Sequence, residues 1–216
     1  MRFTNRQEAG RSLAQALDAY TGQDCVIYAL PRGGVVLGAE VANRLHAPLD
    51  LVISRKIGHP RWEEYAVCAV TEDGHLVCNK DELARLDPAW LKRSITQERA
   101  EARRRRLTYL ADRPTIPVKG KTAIIVDHGV ATGLTLVAAL QAIRDREPAK
   151  IIVAIPVIPS SVDKQLRHYI EEIIALEVAN SYLGSIGAYY DSFDPVSDAE
   201  VIALLHKQNH KTNGAT

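Results

Sequence analysis

Two stretches of this chain hold residues whose types and spacing could grip an anion. The first is Val126-Asp-His-Gly-Val-Ala-Thr-Gly-Leu-Thr135. An apolar, β-branched run, Thr122 to Val126, precedes it, and Leu134, Val137, Ala138, Leu140, Gln141 and Ile143 follow at roughly helical spacing. This pattern predicts a strand buried on both faces, a glycine turn and a helix start. At such a turn the free backbone N–H groups and the positive end of the helix point at a ligand, and glycines let the backbone come close. Thr132 and Thr135 can add hydroxyl donors. Asp127 would repel a phosphate, so it suits a sugar diol or a bound cation instead. The second stretch is Pro31-Arg-Gly-Gly34, which follows the apolar run Cys25 to Leu30 and opens a helix reaching about Leu45. An arginine fork beside exposed amides, here Arg32 with Gly33 and Gly34, is suited to a diphosphate.

The elements that must position these turns alternate. Residues Arg6 to Tyr20 read as an amphipathic helix, with Ala9, Leu13, Ala16 and Leu17 on one face. Pro48 to Ser54 reads as a second core strand ending in Arg55 and Lys56. Cations at a strand's C-terminal edge can meet a ligand there or simply form a salt bridge. Tyr65 to Thr71 and His75 to Asn79 flank Asp73-Gly74, a hairpin signal inside an insertion. Lys80 to about Leu110 is mostly helical, with Asp87 and Pro88 starting a new helix as cap and first residue. Its run Arg103 to Arg106 is better matched by helical pairing with Glu98 and Glu101 than by nucleic acid. Lys150 to Pro156 is another buried strand, Ser160 opens a well-capped helix, and Glu172 to Leu176 is a short final strand. The expected fold is therefore α/β: a mainly parallel sheet with helices on both faces, its two glycine turns converging on one sheet edge. After the last strand, Tyr189, Tyr190 and Phe193 offer rings that either stack on a planar base or pin their loop to the core. Asp198 to Leu205 closes with a short helix, and residues 206–216 read as a frayed, disordered tail.

Composition narrows the function classes. A formal net charge of +1 gives no global case for nucleic acid or an anionic membrane, so any basic site is local. The longest apolar run, Ile151 to Ile158, is too short to span a bilayer. Cys25, Cys68 and Cys78 are an odd set without C-x-x-C spacing, so neither a zinc cluster nor a disulfide framework is expected. With a polar N-terminus lacking a signal-peptide core, a cytoplasmic location fits.

The stretch Val126 to Thr135 resembles the phosphoribosyl-pyrophosphate (PRPP) motif of type I phosphoribosyltransferases, with one departure: His128 stands where the second acid is usual. Arg32-Gly-Gly34 resembles the pyrophosphate loop of xanthine-guanine-type members. Arg-Gly-Gly, Arg-Lys-Ile-Gly58, the PRPP motif and a glycine- and aromatic-rich ending recur in this order in a poorly characterised bacterial and archaeal branch of that family. The landmarks span about residues 6–205, which the resemblance makes one domain. Its Rossmann-like core would be about 22–56 and 120–176, its insertion about 57–119 and its C-terminal hood about 177–205.

The resemblance implies transfer of the phosphoribosyl group of PRPP to a nitrogenous base, with Mg²⁺ as cofactor and release of pyrophosphate. Asp127 and His128 would hold the ribose, and the metal would have either no direct protein ligand or Asp127. Val130, Ala131, Thr132, Gly133, Leu134 and Thr135 would hold the 5′-phosphate. Arg32, Gly33, Gly34, Arg55 and Lys56 would hold pyrophosphate, and Tyr189, Tyr190 and Phe193 the base. A basic residue among Arg103 to Arg106, or Arg113, would sit on a mobile loop that closes over the substrate. Members acting on 6-oxopurines usually carry an acid where Ala131 stands, which argues against such an acceptor. No covalent nucleophile is implied, and a homodimer is the assembly common in the family. His128 keeps open a non-catalytic PRPP- or nucleotide-binding regulator, and a nucleotide phosphorylase or hydrolase is a third reading.

Overall fold

In a computed structural model, which describes residues 1–111 and 113–212, the alternation of strands and helices closes into one parallel sheet. The chain enters with α1 (Arg6–Ala16), whose start is capped by Asn5, its side chain accepting from the Glu8 amide at 3.0 Å. It continues through β1 (Cys25–Ala29), α2 (Gly33–Leu45) and β2 (Leu49–Leu51). An insertion follows: β3 (Ser54–His59), β4 (Trp62–Thr71), β5 (Leu76–Cys78), α3 (Lys80–Leu83) and α4 (Pro88–Leu110). The core resumes with β6 (Thr122–Val126), α5 (Leu134–Arg144), β7 (Lys150–Pro159), α6 (Ser160–Leu166) and β8 (Glu172–Ala179), and α7 (Asp198–Thr212) ends it. The strand order is β2-β1-β6-β7-β8, every neighbour pair parallel. Strand order therefore reverses between β1 and β6, and the C-terminal ends of those two strands flank the crevice where open sheets of this kind bind ligands.

The apolar runs read as strands buried on both sides, and they are. Ile27, Ala29, Ile124, Val126, Ile152 and Ala154 pack with α1, α2 and α7. Their alternates Val26, Tyr28, Ala123, Ile125, Ile151 and Val153 pack with α5 and α6. The period of two makes each strand serve two cores at once. Among the described residues no helix is long and apolar enough to cross a membrane.

The insertion forms its own antiparallel sheet, β3-β4-β5, over a small core of Ile57, Val67, Cys68 and Val70 covered by Leu86, Trp90 and Leu91. The Asp73-Gly74 hairpin forms between β4 and β5, and Asp87 caps α4 with Pro88 in its first turn. Several expectations are corrected here. The second core strand stops at Leu51, and Arg55 and Lys56 belong to β3, outside the main sheet. Cys68 and Cys78 face each other in the β4–β5 register and form a disulfide, while Cys25 is free and buried. The Ser160 helix has Pro159 at its cap position and no side-chain cap. The closing helix runs past Leu205 to Thr212, with Val201 and Leu205 in the core, so much of the expected tail is helical. Residues 213–216 of that tail lie outside the described residues.

Arg103 to Arg106 lie within α4, not on a loop, and each has a partner. Arg103 donates to the Glu72 carbonyl, Arg104 and Arg105 pair with Glu101, and Arg106 reaches Glu72 Oε1 at 3.0 Å. Arg113 donates to the Leu49 carbonyl at 2.7 Å. Arg106, which also donates to the Leu51 carbonyl, and Arg113 tie this segment to β2, and Asp50 joins them: fully buried, it accepts from the amides of Leu51 and Ile116 and lies 3.7 Å from Arg106.

Glu72 makes this junction sensitive to pH. It is 6 % exposed, and desolvation outweighs the Arg106 charge, pushing its carboxyl from 4.5 up to about 7. Between those two values the folded protein keeps a proton that the unfolded chain has lost, so the contribution to stability falls as pH rises through that window. The expected loss between pH ~5 and ~8 is on the order of 2 kcal/mol. Glu72→Gln should flatten that slope, as urea unfolding at the two pH values would read. A slope unchanged by the substitution would refute the assignment.

Candidate functional site

The two glycine turns meet at the point where strand order reverses. The β1–α2 turn places Arg32 at the cap position of α2, after a cis Pro31–Arg32 peptide bond, with Gly33 and Gly34 in the first helical turn. The space beside both glycines is tight. A Cβ on Gly34 would sit 2.9 Å from the Val126 carbonyl oxygen and 3.1 Å from Asp127 Oδ1, and one on Gly33 would sit 2.6 Å from His128 Nδ1. The β6–α5 loop therefore packs directly on the β1–α2 turn, and Asp127, His128, Gly33, Gly34 and Arg32 form one cluster.

Within it, Asp127 Oδ1 accepts from the His128 amide at 2.7 Å and lies 2.8 Å from His128 Nδ1, the latter without hydrogen-bond geometry. Both side chains are largely but not wholly covered, 13 % and 25 % exposed, as groups facing a crevice would be. Gly133, with φ +80°, caps α5 in the left-handed conformation that glycine adopts without strain. No side chain caps α5, so the first amides after Gly133 lack intrahelical acceptors. Ala131 and Thr132 are exposed and Leu134 and Thr135 half-buried. Among the described residues neither threonine hydroxyl has a partner, which leaves this helix start open to an anion. Val130 departs from its expected role: its side chain is in the core and its amide donates to the Val157 carbonyl at 3.1 Å.

The other expected residues divide. Arg32 stays on the rim, its Nη1 3.5 Å from Asp198 Oδ1. Arg55 pairs with Glu98 of α4 at 2.8 Å and Lys56 with Glu64 at 2.7 Å, the salt-bridge alternative. A cleft of about 400 Å³ between β3 and α4, lined by Arg55, His59, Trp90 and Glu98 among others, contains no residue of either glycine turn. Tyr189 and Tyr190 pin their loop to the core instead of offering open faces. They are 2 % and 3 % exposed, and Tyr190 donates to the His128 carbonyl at 2.6 Å. Burial pushes the Tyr190 phenol well above its ordinary range, so it remains a donor. Phe193 lies with its ring centroid 5.4 Å from that of His128, with the Arg6 guanidinium 3.8 Å over it. Ile186 covers Gly129.

Arg6 is the residue the chemistry-first reading missed. It is 9 % exposed, donates to the Asp194 carbonyl at 2.8 Å, and lies close enough to the Asp194 and Asp127 carboxylates for their charges to oppose the lowering of its pKa by burial. Its signal was a charge in register with the buried stripe Ala9, Leu13 of α1. It braces the C-terminal loop against the glycine cluster.

Residues 4–191 match the model of the phosphoribosyl transferase domain. The chain belongs to the type I phosphoribosyltransferase family. It is 37% identical over 207 residues to the putative phosphoribosyl transferase Rv0571c of Mycobacterium tuberculosis, a match covering 95% of this chain and 46% of the relative. The chain thus spans about half the length of the curated relatives it matches. Among solved structures it is similar to TT1426 from Thermus thermophilus, at 39% identity and a TM-score of 0.79, over 96% of this chain and 99% of that one. A likeness to AQ2163 from Aquifex aeolicus, 15% identical with a TM-score of 0.50 over 80% of this chain and 74% of that one, concerns the fold alone.

Proposed function

We propose that the protein transfers the 5-phosphoribosyl group of PRPP to a nitrogenous base and releases pyrophosphate. The observation that carries this reading is the packing of Gly33 and Gly34 on His128 and Asp127 at the β1/β6 switch point. That contact sets an arginine, a carboxylate and an open helix start around one crevice. The start of α5, with Thr132 and Thr135, holds the 5′-phosphate; Asp127 accepts from the ribose hydroxyls; Arg32 and the amides beside it hold the diphosphate. Catalysis is then positioning of the acceptor nitrogen at C1 and stabilisation of the departing diphosphate. Arg55 and Lys56 would join only by exchanging their present carboxylate partners.

The donor set suits a metal carried in by the substrate. Asp127 is one carboxylate, with Oδ1 already engaged by the His128 amide, and Mg²⁺ is commonly held by one or two carboxylates plus substrate phosphates. When bound, Mg²⁺ supplies charge neutralisation on the diphosphate oxygens. Ala131 leaves the loop without an acid to handle a ring proton, which favours an acceptor other than a 6-oxopurine.

His128 favours a second reading, a PRPP- or nucleotide-binding regulator that does not turn over. The deciding experiment measures pyrophosphate release from PRPP and Mg²⁺ with a panel of purine and pyrimidine bases and a no-acceptor control. Release dependent on one base is expected. Release without any base would mean hydrolysis, and binding of PRPP without release would leave the regulator.

A further inference from the structure

Arg32 does not stand free at the rim of the crevice. Its Nη1 lies 3.5 Å from Asp198 Oδ1, and the same oxygen accepts a hydrogen bond from the Tyr109 hydroxyl at 2.7 Å. The three residues come from three elements: the β1–α2 turn, the first residue of α7 and the last turn of α4. Tyr109 is buried, while the side chains of Arg32 and Asp198 are 40 % and 41 % exposed. The Tyr109 hydrogen bond is the largest cause holding the Asp198 carboxyl below its ordinary value, with Arg32 and Arg105 adding to it. Burial, then that same hydrogen bond, pushes the Tyr109 phenol up to about 12. Asp198 is therefore an anion with one oxygen shared between a fixed neutral donor and a movable cation.

We propose that Asp198 is a competing counterion for Arg32, holding its guanidinium off the crevice until a diphosphate displaces the carboxylate, with Tyr109 setting the strength of the hold. This rests on the reading of Arg32 as a diphosphate ligand. A half-exposed ion pair at 3.5 Å is weak, whereas a diphosphate offers several charges and a bidentate face to the guanidinium. The exchange therefore favours the ligand, and recapture by Asp198 favours its departure. Tyr109 competes with Arg32 for Oδ1, so removing its hydroxyl strengthens the tether. Asp198 and Tyr109 act through Arg32 and are positioning residues, without contact to the substrate.

The test is calorimetry on the full chain with Mg²⁺, using inorganic pyrophosphate and ribose 5-phosphate as separate probes. Asp198→Asn should tighten pyrophosphate binding about two- to fivefold, the range an exposed pair allows, and leave ribose 5-phosphate unchanged. Tyr109→Phe should weaken pyrophosphate binding by a similar factor. Both changes should vanish in an Arg32→Ala background. Equal tightening of both probes by Asp198→Asn would mean a general loss of negative charge and overturn the proposal. If Arg32→Ala weakens pyrophosphate binding but neither partner substitution shifts it, the proposal fails and the functional reading stands. If the unsubstituted protein binds neither probe, both fail together. The opposite signs for two substitutions of one hydrogen bond are what a merely structural role would not produce.

Discussion

Gly34→Ala should cost the protein stability and PRPP affinity together, whereas Gly33→Ala should cost affinity with much less loss of stability. The two glycines are neighbours in the first turn of α2, yet their surroundings differ in what can yield. At Gly34 the added methyl would meet the backbone: Val126 O at 2.9 Å and Asp127 Cα at 3.1 Å. Those atoms are the end of β6, hydrogen-bonded into the centre of the sheet, so relief requires the start of α2 to move away from β6. Overpacking of this kind costs about 1–3 kcal/mol. It also displaces Asp127, the proposed ribose ligand. At Gly33 the obstacle is the His128 ring, 2.6 Å away at Nδ1, which can turn about its side-chain bonds. The turned ring would crowd the crevice between Asp127 and Phe193. Urea unfolding and calorimetry with PRPP check both halves. Equal stability loss in both variants, or full affinity in either, would show that the turns do not meet as described.

The parts of the fold and site that were legible are those fixed by local chemistry. An acid after a β-branched run, then two glycines and a helix pattern, needs no distant partner to be read. Asp127 and Arg32 accordingly fell at the switch point, and the alternation of strand and helix gave the parallel sheet. What the sequence concealed depends on long-range choices. Val52 and Ile53 continue the apolar run of β2 in composition, but Ile57 finds its core under α4 and Arg55 its carboxylate on Glu98, so the chain leaves the sheet after Leu51. Tyr189 and Tyr190 have rings suited to a base, yet composition does not say which way a ring faces. The His128 carbonyl, 62 residues upstream of Tyr190, takes the Tyr190 hydroxyl and decides it. The disulfide is of the same kind: an odd count of cysteines argued against a framework, and only the β4–β5 register brings Cys68 opposite Cys78. Val130 was assigned by its place in a motif, and its amide turned out to be part of the β7 junction.

Asp127→Asn should weaken PRPP binding by roughly 10²-fold or more while leaving pyrophosphate binding nearly intact. The carboxylate would accept from ribose hydroxyls, and hydrogen bonds to a charged group contribute about 1.5–3 kcal/mol each. Asparagine keeps the shape and an acceptor for the His128 amide, which Asp127 now satisfies at 2.7 Å, so the turn should survive. Asp127→Ala should bind as poorly and also destabilise, because that amide would lose its partner. Ribose 5-phosphate should follow PRPP in both variants, since both carry the same diol. Unchanged PRPP affinity in Asp127→Asn would move the ribose elsewhere and undo the site assignment. The same assay gives His128 its meaning. It occupies the position of the usual second acid, with its ring held beside Asp127 and against the β1–α2 turn. If the protein binds PRPP with Asp127 but does not turn it over, His128→Asp restores the missing charge without changing the packing of Gly33 by more than a ring's volume. Turnover gained by that substitution would locate the difference between a binding protein and a transferase in one side chain. No gain would place that difference elsewhere in the site.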